Sequence, residues 1–178
     1  HPNGIQEMNA ANNHSVAYLV QLAAFSKLTQ DTKILSMIRT RYKDIILPSQ
    51  MDLDGSFPAE LARTKPYGYS IFQLDNMVLL CHLLSIKEDN LWEFTLSDGR
   101  SIQMGLSFLF DYLKNKNAWP YPPDVEHFVQ WPVRQPCLLL GAYAFNRPDY
   151  LTLWKSLEAD PTDLEIRRNL AVTQPLLW

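Results

Sequence analysis

The sequence predicts an all-α fold, on three observations. Apolar residues recur at three-to-four spacing through most of the chain. Capping and stop residues bracket those runs. No segment alternates apolar and polar residues as a half-buried strand does. The chain has 178 residues, 47% hydrophobic and 20% charged. That is long enough for one domain with a real core, and its composition is globular rather than disordered.

The elements follow in order. Residues 15 to 29 place Leu19, Leu22, Ala23 and Ser26 on one stripe, and Asn12 or Asn13 can cap the start. Asp31 offers a cap for a second helix with Ile34, Ile38, Tyr42 and Ile45 on its buried side, and Pro48 is expected to stop it. The segment 48–66, PSQMDLDGSFPAELARTKP, reads as an ordered loop punctuated by Gly, Pro and Asp. A third helix is expected from about Tyr69 to Ser85. It is apolar on most sides (MVLLCHLL) and so needs neighbours all round. Ser97-Asp98-Gly99 turns the chain into a fourth helix through Met104, Phe108, Tyr112 and Leu113.

Residues 117–136 are rich in proline and aromatics, which excludes continuous helix there. Shorter helices are expected at Cys137–Phe145 and Asp149–Glu158. Asp160-Pro161-Thr162 reads as the opening of a last one, to Asn169. Antiparallel helical hairpins arranged as a toroid fit this pattern, and so does a generic bundle. No exact internal repeat decides between them.

The formal net charge is -3. No global basic field favours nucleic acid, so an anionic ligand must be met by a local cluster of cations. No run of about 18 apolar residues occurs, so no helical membrane span is predicted. The chain opens on His1 with no leader-like segment. Its first residue is expected to follow processing or to lie partway along a longer protein. Cys81 (VLLCHLL) and Cys137 (QPCLLLG) read as buried thiols, with no C-x-x-C or zinc spacing. No metal and no cofactor are expected.

Three constellations could carry chemistry. Asn12-Asn13-His14 sits at a helix start. An amide can donate to a carboxylate without adding charge, and an imidazole beside it can donate or take a proton. The plain alternative is a helix cap with a surface histidine. Next comes Glu60-Leu61-Ala62-Arg63-Thr64-Lys65-Pro66-Tyr67-Gly68-Tyr69. A guanidinium matches a carboxylate through two bonds, and a phenol beside cations can donate or accept a proton. Here the alternative is a surface Arg63–Glu60 pair with packed tyrosines. The third is the 117–136 loop, with Trp119, Tyr121, His127, Trp131 and Arg134. Aromatic faces beside cations grip sugar rings that carry acid groups, but the same residues can pack a loop.

His82 is expected as a satisfied core histidine. Asp52, Asp54 and Glu60 could suggest a glycosidase pair, but nothing assigns them acid and base roles, and Asp54-Gly55 reads as a turn.

Taken together, NNHSVAYLVQLAAF, DGSFPAELARTKPYGYSIFQLDNM, DNLWEFTLSDGR and WPVRQPCLLLGAYAF, in that order, resemble the alginate lyase superfamily of polysaccharide lyases. The most specific part is the NNH string combined with an Arg-x5-Tyr spacing. The resemblance implies an incomplete α/α toroid with long loops, forming one domain over 1–178. It implies β-elimination on a uronate polymer such as alginate or glucuronan, and a secreted or periplasmic location. It also implies that Asn13, His14, Arg63 and Tyr69 are catalytic. Lys65, Tyr67, Trp119, His127, Trp131 and Arg134 are the expected substrate contacts. Family members are about twice this length, so the chain is expected to correspond to their C-terminal portion. The rival expectation is a non-catalytic uronan-binding module that uses the same donors.

Overall fold

Helix-forming sequence and local capping account for most of the architecture. In the computed structural model, residues 1–172 are described, and residues 173–178 of the expected domain lie outside them. Ten α-helices, one π turn and one 3-10 turn make up the described residues, with isolated bridges and no strand among them.

Helix α1 (Pro2–Met8) has no apolar stripe and no buried residue, so periodicity could not reveal it. Arg41 donates to the Met8 carbonyl at 2.8 Å and to Asn9 Oδ1 at 2.7 Å, so the second hairpin arm holds the end of α1. Helix α2 (Asn13–Thr29) is capped by Asn12, whose Oδ1 accepts from the His14 N–H at 3.2 Å. It ends at Gln30 in the left-handed region (φ 58°). Asp31 then caps α3 (Thr32–Arg41), accepting from Ile34 N–H at 3.0 Å. The two-residue link folds α3 back on α2 as a helical hairpin.

Pro48 does not stop this arm. The helix widens into a π turn at Tyr42–Ile46, where Leu47 N–H reaches the Tyr42 carbonyl, and one more α turn follows as α4 (Leu47–Gln50). Pro48 falls in the first turn of that new segment, where its missing donor costs nothing. The extra residue also changes the buried side. Ile46 and Leu47 are buried, whereas Ile45 is exposed.

Helix α5 (Pro58–Leu61) is a single turn inside the 48–66 loop. Its neighbour α6 (Pro66–Leu84) starts three residues earlier than expected, because proline is well suited to a first helical turn. This central helix is buried nearly all round, with α2, α5, α7 and α8 packed against it. The Asp54-Gly55 turn is present, with Gly55 at φ 87°.

Helix α7 (Ile102–Lys114) follows the Gly99 turn (φ 93°). Helices α8 (Pro136–Ala144) and α9 (Pro148–Ser156) form a second hairpin, and α10 (Leu164–Asn169) closes the described chain. The cap of α10 is Asp163, accepting from Glu165 N–H at 2.9 Å and Ile166 N–H at 3.1 Å, in place of the expected Asp160. Helices start where a side-chain acceptor meets free N–H groups, and Asp163 is the residue positioned to do so.

Both cysteines are free and buried, and burial pushes the Cys81 thiol up to about 12. His82 is half-buried rather than a core residue, and burial pushes its pKa down. Asp75 lies fully buried on α6. One oxygen accepts from the Cys137 N–H at 3.0 Å, and the other has no partner.

Candidate active site

The N-termini of α2 and α6, with the α5 turn between them in sequence, bring three of the expected residues into one connected group. Asn13 is the first residue of α2. Its backbone N–H donates to Glu60 Oε1 at 2.7 Å and its side-chain Nδ2 to Glu60 Oε2 at 2.9 Å. Arg63, just beyond α5, donates through Nη1 to the same Oε2 at 2.9 Å. Its guanidinium lies 3.6 Å from the centre of the Tyr69 ring, a cation–π stack. Asn13, Glu60, Arg63 and Tyr69 therefore form a continuous chain of contacts.

Glu60 is 1% exposed, so the Arg63–Glu60 pair is not the surface pair the sequence allowed. Burial pushes the Glu60 carboxyl up, against the pull of the Asn13 N–H and the Arg63 guanidinium. A buried amide relay is separate from this group. Gln73 donates to Gln50 at 2.7 Å, and Gln50 donates to Ser15 Oγ at 2.8 Å, which joins α6, α4 and α2.

His14 stands on the solvent side of this group. Its Nδ1 is 3.0 Å from Glu7 Oε2, and both side chains are about half exposed. Together with Asn13, Tyr18, Gln21 and Phe72 they line an open pocket of about 360 Å³. That volume is within the range of small-ligand sites. Among the described residues, no three His, Cys, Asp or Glu side chains gather as a metal-binding group.

Across Tyr69 the chain is closed rather than open. Lys65 Nζ pairs with Glu126 at 3.0 Å and lies 3.9 Å from Glu165, and the Glu126 hydrogen bond pushes its pKa up. His127 pairs with Asp163 at 3.0 Å. Lys65, Tyr69, His127 and Trp131 share a niche of about 10 Å³, room for a single water and not for a sugar ring.

The expected sugar grip of the 117–136 loop is corrected on the same grounds. Tyr67 has no exposed surface, and its hydroxyl donates to the Tyr112 carbonyl at 3.1 Å. Its ring meets Trp119 edge-on at 5.0 Å and Phe128 at 5.4 Å. Trp119 is 8% exposed and Trp131 5%, so neither offers a ring face. Arg134 donates to the Leu157 and Lys155 carbonyls at 3.2 and 3.1 Å and stacks 4.8 Å over Trp154. These aromatics serve packing because their apolar area is worth more buried against each other than exposed.

Two supporting acids escaped the sequence reading. Glu7 belongs to the unforeseen α1. Asp124 accepts from Tyr67 N–H at 2.8 Å and Gly68 N–H at 2.9 Å, so it holds the start of the helix that carries Tyr69 from 56 residues away along the chain. No local pattern signals such a contact. Gly68 fits the same junction, since a Cβ there would lie 2.7 Å from Trp131 Nε1 and 2.9 Å from Asp124 Oδ2. For Glu60 the sequence did carry a signal, its position three residues before Arg63.

The fold defines an all-α protein, built from helical hairpins around a buried central helix. The chain belongs to the alginate lyase family, whose model matches residues 1–119. That span contains Asn13, His14, Glu60, Arg63 and Tyr69, and stops short of His127, Trp131 and Arg134. A crystal structure of an alginate lyase from Bacteroides ovatus superimposes with a TM-score of 0.74 at 27% identity. The match covers 94% of this chain and 44% of that one, so the chain spans less than half the length of that lyase. No curated protein matches the chain.

Proposed function

We propose that the chain is a polysaccharide lyase that cleaves a uronate polymer, alginate or a relative such as glucuronan, by β-elimination. The observation that carries the reading is the Asn13–Glu60–Arg63–Tyr69 chain beside the His14 pocket. It sets two carboxylate-recognising donors against a phenol, in a fold shared with an alginate lyase.

A uronate at the cleavage point has a weakly acidic C5 proton next to its carboxylate. Removing it puts a second negative charge on the carboxylate oxygens, and that is the charge to be stabilised. Arg63 keeps donors not engaged by Glu60, and Asn13 keeps one amide proton. Each donor aimed at developing charge contributes roughly 3 kcal/mol to lowering the barrier. The C5–H bond breaks, its electrons form the C4–C5 double bond, and the C4–O4 bond breaks. Tyr69 protonates the departing O4 and takes the C5 proton as well where both lie on one face of the ring. His14, open to the pocket, takes the C5 proton where they lie on opposite faces. The product's double bond is conjugated to its carboxylate and absorbs in the ultraviolet. Such polymers lie outside the cytoplasm, so a secreted or periplasmic site of action belongs to this reading.

The test is incubation with alginate blocks, glucuronan and other uronans, following absorbance of the unsaturated uronate. A rise with at least one of them is expected, and Tyr69→Phe should lower the rate by roughly 100- to 10,000-fold with binding kept. No rise with any uronan sinks the lyase reading. Binding without a chromophore favours a uronan-binding module, and a Tyr69→Phe variant at full rate removes Tyr69 from its role.

A further inference from the structure

We infer that Glu60 is a positioning residue for the elimination, fixing in advance the two donors that receive the charge on the substrate carboxylate. The inference rests on the lyase reading and adds a residue to it. A buried carboxylate offers acceptors only, so donors that converge on it are held in one orientation. Three do so here. Oε1 takes the Asn13 backbone N–H at 2.7 Å, and Oε2 takes Asn13 Nδ2 and Arg63 Nη1, each at 2.9 Å.

The Asn13 side chain needs such an anchor. An amide can turn over, exchanging its oxygen for its nitrogen, and in the flipped state it would aim a lone pair at a substrate carboxylate. Its bond to Oε2 forbids that flip, since it would set the Asn13 oxygen against a carboxylate oxygen. Arg63 is held by one corner of its fork, and the Tyr69 ring lies under its plane at 3.6 Å. The remaining N–H groups therefore keep one direction. Burial strengthens the arrangement, because Glu60 is 1% exposed and water does not compete for its oxygens.

Glu60 also offsets the charge of Arg63 before any substrate arrives. A uronate carrying a single charge gains less from that guanidinium than the transition state, whose carboxylate carries more. Preference for the transition state over the ground state shows in kcat and leaves KM nearly unchanged.

The test compares wild type with Glu60→Gln on whichever uronan the wild type cleaves. Glutamine presents one donor where three donors converge, so at least one contact is lost. The expected result is a folded variant with kcat lower by about 100-fold and KM within a few-fold. Combining it with Arg63→Lys should give a loss well short of the product of the two single losses, because the residues act as one unit. A Glu60→Gln enzyme at full kcat, a loss confined to KM, or additive losses would overturn the inference and leave the lyase reading standing. Where Glu60→Gln does not fold, Glu60→Asp, which keeps the charge but draws it back by one methylene, is read the same way.

A wild type inactive on every uronan fails the lyase reading instead. The anchoring is then read directly, from proton exchange of the Asn13 side-chain amide by NMR. Slow exchange upholds the fixed donor, and exchange as fast as that of a surface asparagine overturns it.

Discussion

Replacing Asp75 with asparagine should remove a stability loss that the wild type suffers as pH rises. Asp75 is fully buried between α6 and the start of α8, with one oxygen on the Cys137 N–H and the other unpartnered. Burial is the dominant influence on its acidity and pushes its pKa up to about 7. In the unfolded chain an aspartate titrates near 3.9. Below about pH 4 both states hold the proton and stability is at its fullest. Between about 4 and 7 the unfolded chain releases the proton while the folded one keeps it, so stability falls with rising pH.

Three pH units at 1.36 kcal/mol each give a loss of roughly 4 kcal/mol, a large part of a usual total of 5–15. Asparagine resembles the protonated acid, keeps an acceptor for Cys137 and does not titrate. Urea unfolding of both proteins at pH 5, 6, 7 and 8 isolates the contribution of Asp75, because groups that do not touch it cancel in the difference. The variant should gain on the wild type by about 2–3 kcal/mol across that range, the rest of the loss falling below pH 5. Parallel profiles, or a wild type that gains on the variant toward pH 8, would refute the buried-acid account.

Two further variants separate packing from chemistry. Tyr67→Phe removes only the bond to the Tyr112 carbonyl, so it should cost about 1 kcal/mol of stability and leave turnover per folded molecule near wild type. Turnover lost to the extent seen with Tyr69→Phe would restore Tyr67 to the site. Gly68→Ala places a methyl 2.7 Å from Trp131 Nε1 and 2.9 Å from Asp124 Oδ2, and should cost about 1–3 kcal/mol in urea unfolding. A neutral substitution would show that the α6 junction is looser than drawn.

The all-α class, most of the helices, the buried central helix and the buried thiols were legible in the sequence, since each rests on a local rule. Three-to-four spacing places an apolar stripe, an acceptor side chain starts a helix, and proline favours a first turn. The rules failed where two of them competed or none applied. Pro48 reads as a stop, yet the chain passes through a π turn and Pro48 opens a new helical turn. Helix α1 has no stripe to detect. Asp160, followed by a proline, reads as the cap of the last helix, and the chain path selects Asp163 instead.

The site divides along the same line. Residue types and spacing raised Asn13, His14, Arg63 and Tyr69 as candidates, and the resemblance to the alginate lyase superfamily is what implied a catalytic role for them. Burial was outside the reach of spacing. Trp119, Trp131 and Tyr67 have the composition of a sugar platform, and tertiary packing buries all three, Tyr67 meeting Trp119 edge-on. Glu60 looked like the partner of a surface arginine, and the fold sinks it beneath two donors drawn from separate helix ends. Sequence fixes what a side chain can do. Which atoms it meets, and whether water reaches them, depends on segments 47 and 56 residues apart, Asn13 to Glu60 and Gly68 to Asp124, and only the folded chain brings those together.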